Sequence, residues 1–128
     1  MKRIALLGST GSIGTQALDV ISRHPDEFSV EVLTAHNNAD LLIEQAIKFN
    51  PNVVVISNPD KYDYVSKTLE PHMIKVFTGT ESLYDVVEMD SVDMVLGALV
   101  GYAGLVPVIN AIKHDKIIAL ANKEVLVV

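Results

Sequence analysis

Short apolar runs alternate along the chain with segments in which apolar residues recur every three to four positions. The second pattern is the period of a helix with one buried face, whereas a continuous run of Val, Ile and Leu is typical of a strand covered on both faces of a parallel sheet. The runs predict strands at residues 4–7, 29–34, 53–56, 74–77, 93–98 and 116–120.

The segments between these runs predict helices, and proline marks several of their boundaries. Pro25 and Pro71 end helices because proline cannot continue the hydrogen-bonded ladder. Asn58-Pro59 is a favourable helix start, with Asn as the cap and Pro in the first helical position. The predicted helices lie at about 13–23, 40–49, 59–70, directly after 80 and at 105–113.

Regular alternation of strand and helix implies right-handed crossovers and a parallel sheet. The sequence therefore predicts one α/β domain over residues 1–128, a Rossmann-like doubly wound sheet in three layers, α/β/α, with strand order 3-2-1-4-5-6. Ligands bind such sheets at the carboxyl ends of the strands, beside the point where the strand order reverses. The loops expected to meet there are 8–14, 35–38, 97–104 and 121–124.

Three glycines follow the first strand, at Gly8, Gly11 and Gly14. Glycine permits a tight turn, a close approach of the backbone to a ligand and close packing of a helix on a strand. A helix that begins here directs its free N–H groups and positive dipole end at the space above the turn, where a pyrophosphate is the usual guest. A plain structural turn is the alternative, and the position between strand and helix favours dinucleotide binding.

Composition narrows the classes of function. Of 128 residues 49% are hydrophobic but only 5% aromatic, which predicts an aliphatic core, and a net charge of −6 argues against nucleic-acid binding. The chain has no cysteine, which excludes disulfides and thiolate catalysis, and no apolar run of membrane-spanning length. We expect a cytoplasmic protein without membrane partners, and the apolar end at residues 125–128 suggests a domain of a longer chain.

The end of the second strand indicates which dinucleotide would bind. An NAD site carries an Asp or Glu there for the ribose 2′-hydroxyl, and this chain instead has His36, Asn37 and Asn38. The absence of a carboxylate favours NADP, because nothing repels a 2′-phosphate and all three side chains can donate hydrogen bonds. A compatible alternative is that Asn37 and Asn38 turn the chain and Asp40 caps the next helix.

Further along, Asn122-Lys123-Glu124 follows the sixth strand. A Lys beside a carboxylate at a strand end can clamp a substrate phosphate or orient a nicotinamide ribose, although ordinary solvated Lys–Glu pairs are common. The acidic residues are scattered, and the other three histidines have no metal-ligand spacing.

Two separated motifs resemble the amino-terminal domain of the 1-deoxy-D-xylulose 5-phosphate reductoisomerase family. One is the glycine turn 8–14 with Leu18-Asp19-Val20 behind it, and the other is Leu120-Ala121-Asn122-Lys123-Glu124. Residues 92–93 and 101–105 are also similar to the family, so the resemblance spans the whole chain.

The resemblance implies an NADPH-dependent enzyme of non-mevalonate isoprenoid biosynthesis. Such enzymes rearrange the phosphosugar 1-deoxy-D-xylulose 5-phosphate and reduce it to 2-C-methyl-D-erythritol 4-phosphate with a divalent metal, Mg or Mn, as homodimers. The catalytic residues, metal ligands and flap of the family lie downstream of this segment, so the segment by itself would bind cofactor without turning over substrate.

The resemblance also assigns residues to roles. Gly8, Thr10, Gly11, Ser12 and Ile13 match the turn at the cofactor pyrophosphate. Asn38 matches a cofactor-binding Asn near the adenosine 2′-phosphate, Asn122 and Glu124 match contacts on the nicotinamide side, and Lys123 matches a substrate contact. Apart from the resemblance, we expect His36 and Asn37 beside Asn38 at the 2′-phosphate, and Ala98, in loop 97–104, beside the nicotinamide. The sequence departs from the family twice: His36-Asn37-Asn38 replaces a Gly–basic–Asn loop, and Val125 stands where Ser or Thr is usual.

Two alternative functions compete with this interpretation. A short-chain dehydrogenase shares a glycine-rich turn, but its Tyr-x-x-x-Lys pair is absent because none of the four tyrosines has Lys four residues on. A nucleotide-sensing regulatory module without chemistry would need a DNA-binding or effector segment, and none is visible in the sequence.

Overall fold

The computed structural model describes residues 1–97, 109, 113–114 and 116–120. These residues include six strands, four α-helices and two short 3-10 turns. The strands are β1 (Lys2–Leu7), β2 (Phe28–Ala35), β3 (Val53–Ile56), β4 (Lys75–Thr78), β5 (Met94–Gly97) and β6 (Ile117–Leu120). The helices are α1 (Ser12–Ser22), α2 (Ala39–Phe49), α3 (Tyr62–Leu69) and α4 (Thr80–Val87).

All six strands form one parallel sheet in the order β4-β3-β2-β1-β5-β6. The doubly wound parallel class is confirmed, but the predicted order 3-2-1-4-5-6 is wrong. The fourth strand adds outside β3 instead of crossing to β1, and β5 takes the place beside β1. The reversal of strand order still falls at β1, so the carboxyl end of β1 remains the expected ligand position.

Each face of the sheet is covered by apolar side chains from helices. On β1, Ile4 and Leu6 belong to the core cluster that contains the buried residues of α1, α2 and α3. Ala5 and Leu7 belong to a second cluster, which contains the buried residues of α4. The described residues therefore form the predicted three layers, and β1 from Ile4 onward is buried on both sides.

Most element boundaries lie within two residues of the predicted ones. Residues 59–70 are less regular than predicted, because 3-10 turns at Pro59–Lys61 and Glu70–His72 flank α3, and Pro71 lies inside the second turn. The predicted cap at Asn58 is confirmed by a 3.0 Å hydrogen bond that its side chain accepts from the Asp60 N–H. Most of the predicted helix at 105–113 lies outside the described residues. None of the described helices has the length and apolar character needed to cross a bilayer.

Candidate functional site

The structural requirement for glycine differs among the glycines of the turn after β1. Gly8 has a φ of 81°, a conformation that side chains rarely adopt. A Cβ at Gly14 would lie 2.1 Å from the Gly8 carbonyl oxygen and 2.8 Å from two backbone atoms of Ser9. The absence of a side chain at Gly14 therefore lets α1 approach the turn closely, as the spacing predicted.

At Gly11, neither a positive φ nor a close contact within the described structure requires glycine. Its backbone is extended, with φ −75° and ψ 172°, and an added Cβ would meet only the Gly8 carbonyl oxygen, at 3.9 Å. Any residue can adopt this conformation, and the space around the Cβ position is open. The fold alone thus does not require glycine at this position, which suits a backbone that must admit a ligand.

The amino terminus of α1 has features that favour binding of an anion. Gly11 is its N-cap and supplies no side-chain cap, and no acidic side chain lies in the first turn. Helix α2, which begins at the same edge of the sheet, is capped by Asn38 Oδ1, which accepts from the Leu41 N–H at 3.3 Å, and has Asp40 in its first turn. Of these two helices, α1 is the one that has neither a side-chain cap nor an acidic residue in its first turn, which leaves N–H groups and the positive dipole end available to an anion.

Four hydrogen bonds fix the position of this turn. Thr34, on β2, accepts from the Gly8 N–H through its hydroxyl at 2.9 Å and from the Ser9 N–H through its carbonyl at 2.8 Å. Ser9 Oγ donates to Gln45 Oε1 at 2.7 Å, and Gln45 Nε2 donates back to the Ser9 carbonyl at 2.9 Å. All three side chains are buried, so the turn is tied to β2 and to α2.

Sequence reasoning missed these three anchors. Gln45 lies among Leu42, Ile43 and Ala46, which form the inward side of α2. A polar residue on an apolar helix face needs a buried partner, and that signal was available in the sequence. Nothing in the pattern, however, identified Ser9 as the partner.

The loop after β2 is held by the loop after β3. His36 Nδ1 lies 2.8 Å from Ser57 Oγ, and Asn37 Oδ1 accepts from Asn58 Nδ2 at 2.6 Å. Because β2 and β3 are neighbours, their carboxyl ends bring these side chains together. His36 and Asn37 are exposed and have known orientations, which suits them to contact a ligand.

Asn38, not Asp40, caps α2, so the predicted capping role of Asp40 is wrong. The Asp40 carboxylate instead accepts a 2.6 Å hydrogen bond from the Tyr64 hydroxyl. This bond to a negative group raises the pKa of Tyr64 above its ordinary value. Because Asn38 is the N-cap, α2 begins at Ala39, one residue earlier than predicted.

The predicted site residues fall into two groups. The turn residues Gly8, Thr10, Gly11, Ser12 and Ile13 and the loop residues His36, Asn37 and Asn38 follow the neighbouring strands β1 and β2 at one edge of the sheet. Ala98, Asn122, Lys123 and Glu124 lie outside the described residues. The strands that precede them end at Gly97 and Leu120, which pair with each other at the same edge.

The largest pKa shift among the described residues belongs to a group at the opposite edge of the sheet. The pKa of Asp93 is lowered to about 2, mainly by hydrogen bonds from the Arg3 side chain and backbone. This pair joins the amino-terminal ends of β1 and β5, opposite the glycine turn. Within the described part of the chain, no group of three His, Cys, Asp or Glu residues is placed to hold a metal ion.

The known proteins that resemble this chain in sequence and those that resemble it in fold are members of one family. The family model described as 1-deoxy-D-xylulose 5-phosphate reductoisomerase matches residues 4–128. The reductoisomerase of Phocaeicola vulgatus is 58% identical over 127 residues, which are 99% of this chain and 33% of that protein.

Two solved structures are similar over nearly the whole chain. The reductoisomerase from Zymomonas mobilis in complex with NADPH has a TM-score of 0.87 at 35% identity and covers 96% of this chain and 32% of that one. A DOX-P reductoisomerase in complex with NADPH, fosmidomycin and magnesium has a TM-score of 0.89 at 36% identity, with 99% of this chain and 31% of that one covered. The chain thus spans about a third of the length of these relatives. It belongs to the 1-deoxy-D-xylulose 5-phosphate reductoisomerase family.

Proposed function

We propose that this chain is the NADPH-binding domain of an enzyme that converts 1-deoxy-D-xylulose 5-phosphate to 2-C-methyl-D-erythritol 4-phosphate. The observation that carries the proposal is the open space at the Cβ position of Gly11, the N-cap of α1, where the fold itself does not require glycine. Family membership and the NADPH complexes of similar solved structures support the same ligand.

The pyrophosphate would lie against the turn between β1 and α1. Backbone N–H groups at the start of α1 and its dipole would stabilise the negative charge, although the chain as a whole is acidic. Ser12 and Thr10 would add hydroxyl donors at the same place. When bound, the cofactor supplies the hydride, and these residues only bind and orient it.

The 2′-phosphate would lie at the loop after β2. Asn37 occupies the position of the basic residue in the family's loop, and the neighbouring His36, whose Nδ1 lies 2.8 Å from Ser57 Oγ, would take over part of its role. That contact fixes the imidazole plane and leaves Nε2 to face a ligand. Where the Ser57 hydroxyl donates to Nδ1 instead of to the Ala35 carbonyl, 3.4 Å from its Oγ, Nε2 carries the proton and the neutral ring donates a hydrogen bond to the phosphate.

The remaining groups of the reaction belong to the longer enzyme. Residues 1–128 would form its NADPH domain, Asn122 and Glu124 would contact the nicotinamide side with Ala98 nearby, and Lys123 would contact the phosphosugar. The Mg²⁺ or Mn²⁺ ligands would come from outside this segment. The complete protein would be a cytoplasmic homodimer.

A Gly11→Val variant tests the pyrophosphate site. The backbone at Gly11 accepts valine, and the fold leaves room for its Cβ, so the variant should fold. The added methyl groups occupy the space assigned to the cofactor, and such overpacking costs about 1–3 kcal/mol, which corresponds to about a fivefold to 150-fold loss of affinity. Calorimetric titration with NADPH measures the loss. Thr15→Val, one turn further along α1, is the control, and equal affinity of both variants would reject the site.

A His36→Ala variant tests the 2′-phosphate contact separately. We expect about a tenfold loss of NADPH affinity, because a hydrogen bond to a charged group is removed, and no change for NADH. His72→Ala is a matched control, because His72 is an exposed histidine in the 3-10 turn after α3. An equal loss for both cofactors would show that His36 does not distinguish them.

A further inference from the structure

The paired hydrogen bonds between Ser9 and Gln45 do more than fasten the glycine turn. Gln45 Nε2 donates to the Ser9 carbonyl, while its Oε1 accepts from the Ser9 hydroxyl. Ser9 is fully buried and Gln45 is 7% exposed, so water does not replace either bond. The amide of Gln45 therefore sets the direction of the Ser9 carbonyl.

That direction determines where the next N–H points. The chain has no described cis peptide bond, and in a planar trans peptide the C=O of one residue and the N–H of the next point in opposite directions. The Ser9 carbonyl points at α2, so the Thr10 N–H points away from α2. Within the described part of the chain, the Thr10 N–H has no hydrogen-bond acceptor, whereas the Gly8 and Ser9 N–H groups are both satisfied by Thr34.

We infer that Gln45 is a positioning residue that holds the Ser9–Thr10 peptide so that the Thr10 N–H donates to the cofactor pyrophosphate. The inference rests on the proposed function, because the acceptor is the proposed ligand. A backbone donor held in place before binding loses no orientation entropy on binding, so fixing this peptide raises affinity without a new side-chain contact. Without Gln45 the peptide can rotate and present its carbonyl oxygen to the phosphate.

Two variants separate the two bonds of the pair. Gln45→Glu keeps an acceptor for the Ser9 hydroxyl but removes the donor to the Ser9 carbonyl. Ser9→Ala removes the hydroxyl bond and keeps the donor. We expect Gln45→Glu to lose about tenfold or more in NADPH affinity and Ser9→Ala to stay within about twofold of the parent chain.

A truncated ligand distinguishes positioning from general damage to the fold. Adenosine 2′-phosphate has no pyrophosphate, so its affinity should be the same for Gln45→Glu and the parent chain. Equal loss for NADPH and adenosine 2′-phosphate, or no loss for either, overturns the role of Gln45. If the parent chain does not bind NADPH at all, the proposed function falls and the inference falls with it.

Amide hydrogen exchange in the parent chain gives a test that needs no variant. The Thr10 N–H should exchange rapidly without ligand and at least about tenfold more slowly with saturating NADPH, because it then has an acceptor. Slowing at Ser12 and Ile13 without slowing at Thr10 would show that cofactor binds but that the Thr10 N–H does not contact it.

Discussion

Replacing Gly14 with alanine adds one methyl group at the closest contact between α1 and the glycine turn. The new Cβ would lie 2.1 Å from the Gly8 carbonyl oxygen, more than an ångström inside ordinary van der Waals contact. The other near atoms, at 2.8 Å, belong to the Ser9 backbone, so no flexible side chain can move aside. Either α1 or the turn must shift.

The expected loss of stability can be estimated from the contacts that hold the glycine turn in place. Overpacking of a tight contact costs about 1–3 kcal/mol, and each weakened hydrogen bond to Thr34 or Gln45 adds about 0.5–1.5 kcal/mol. Alanine in a helix interior recovers about 1 kcal/mol relative to glycine. The free energy of unfolding should therefore fall by about 3 kcal/mol, which corresponds to a decrease of about 10 °C in Tm for a domain of this size.

Urea denaturation followed by circular dichroism measures this loss. Gly11→Ala is the matched control, because its Cβ meets only an atom at 3.9 Å and the change at an N-cap costs about 1 kcal/mol or less. If the Gly14→Ala chain were as stable as the Gly11→Ala chain, the close approach of α1 to the turn would not exist in solution.

Three further expectations concern stability. The Asp93 carboxyl has a pKa of about 2 against an ordinary 3.8, so the stability from its pairing with Arg3 should be lost as pH falls from about 4 through 2. Asp93→Asn should flatten that part of a plot of urea midpoint against pH. Asn38→Ala should cost about 1 kcal/mol by uncapping α2, measured by thermal unfolding, unless the Leu41 N–H finds another acceptor. Leu33→Ala, at a fully buried position of β2, should lower the free energy of unfolding in urea by about 3 kcal/mol, and a loss below about 1 kcal/mol would contradict the described core.

The individual strands and helices could be predicted because each depends on the hydrophobic pattern and the capping residues of its own segment. Aliphatic runs such as 53–56 coincide with β3, and Asn58-Pro59 opens a helical turn as expected. The order of the strands could not be predicted in this way, since periodicity shows that a strand is buried but not which strand lies beside it. For this reason the predicted order puts the fourth strand next to β1, whereas the strand lies beside β3.

The site was predictable only in part for the same reason. Glycine spacing located the turn, but it could not tell that Gly14 is required by the fold and Gly11 is not. The anchors Thr34 and Gln45 lie 26 and 36 residues away from their partners in the turn, and such pairs depend on the tertiary fold. Likewise, Ser57 contacts His36 only because β2 and β3 are neighbours.

Titration calorimetry of the chain with NADPH and, separately, with NADH tests the proposed function most directly. We expect NADPH to bind measurably and more tightly than NADH, because under the proposal the turn at Gly11 would accept the pyrophosphate of both and the His36 loop would recognise the 2′-phosphate of NADPH alone. Equal binding would keep the pyrophosphate site and reject the role of His36. Binding of neither dinucleotide to the folded chain would contradict the proposal that these residues form the NADPH site.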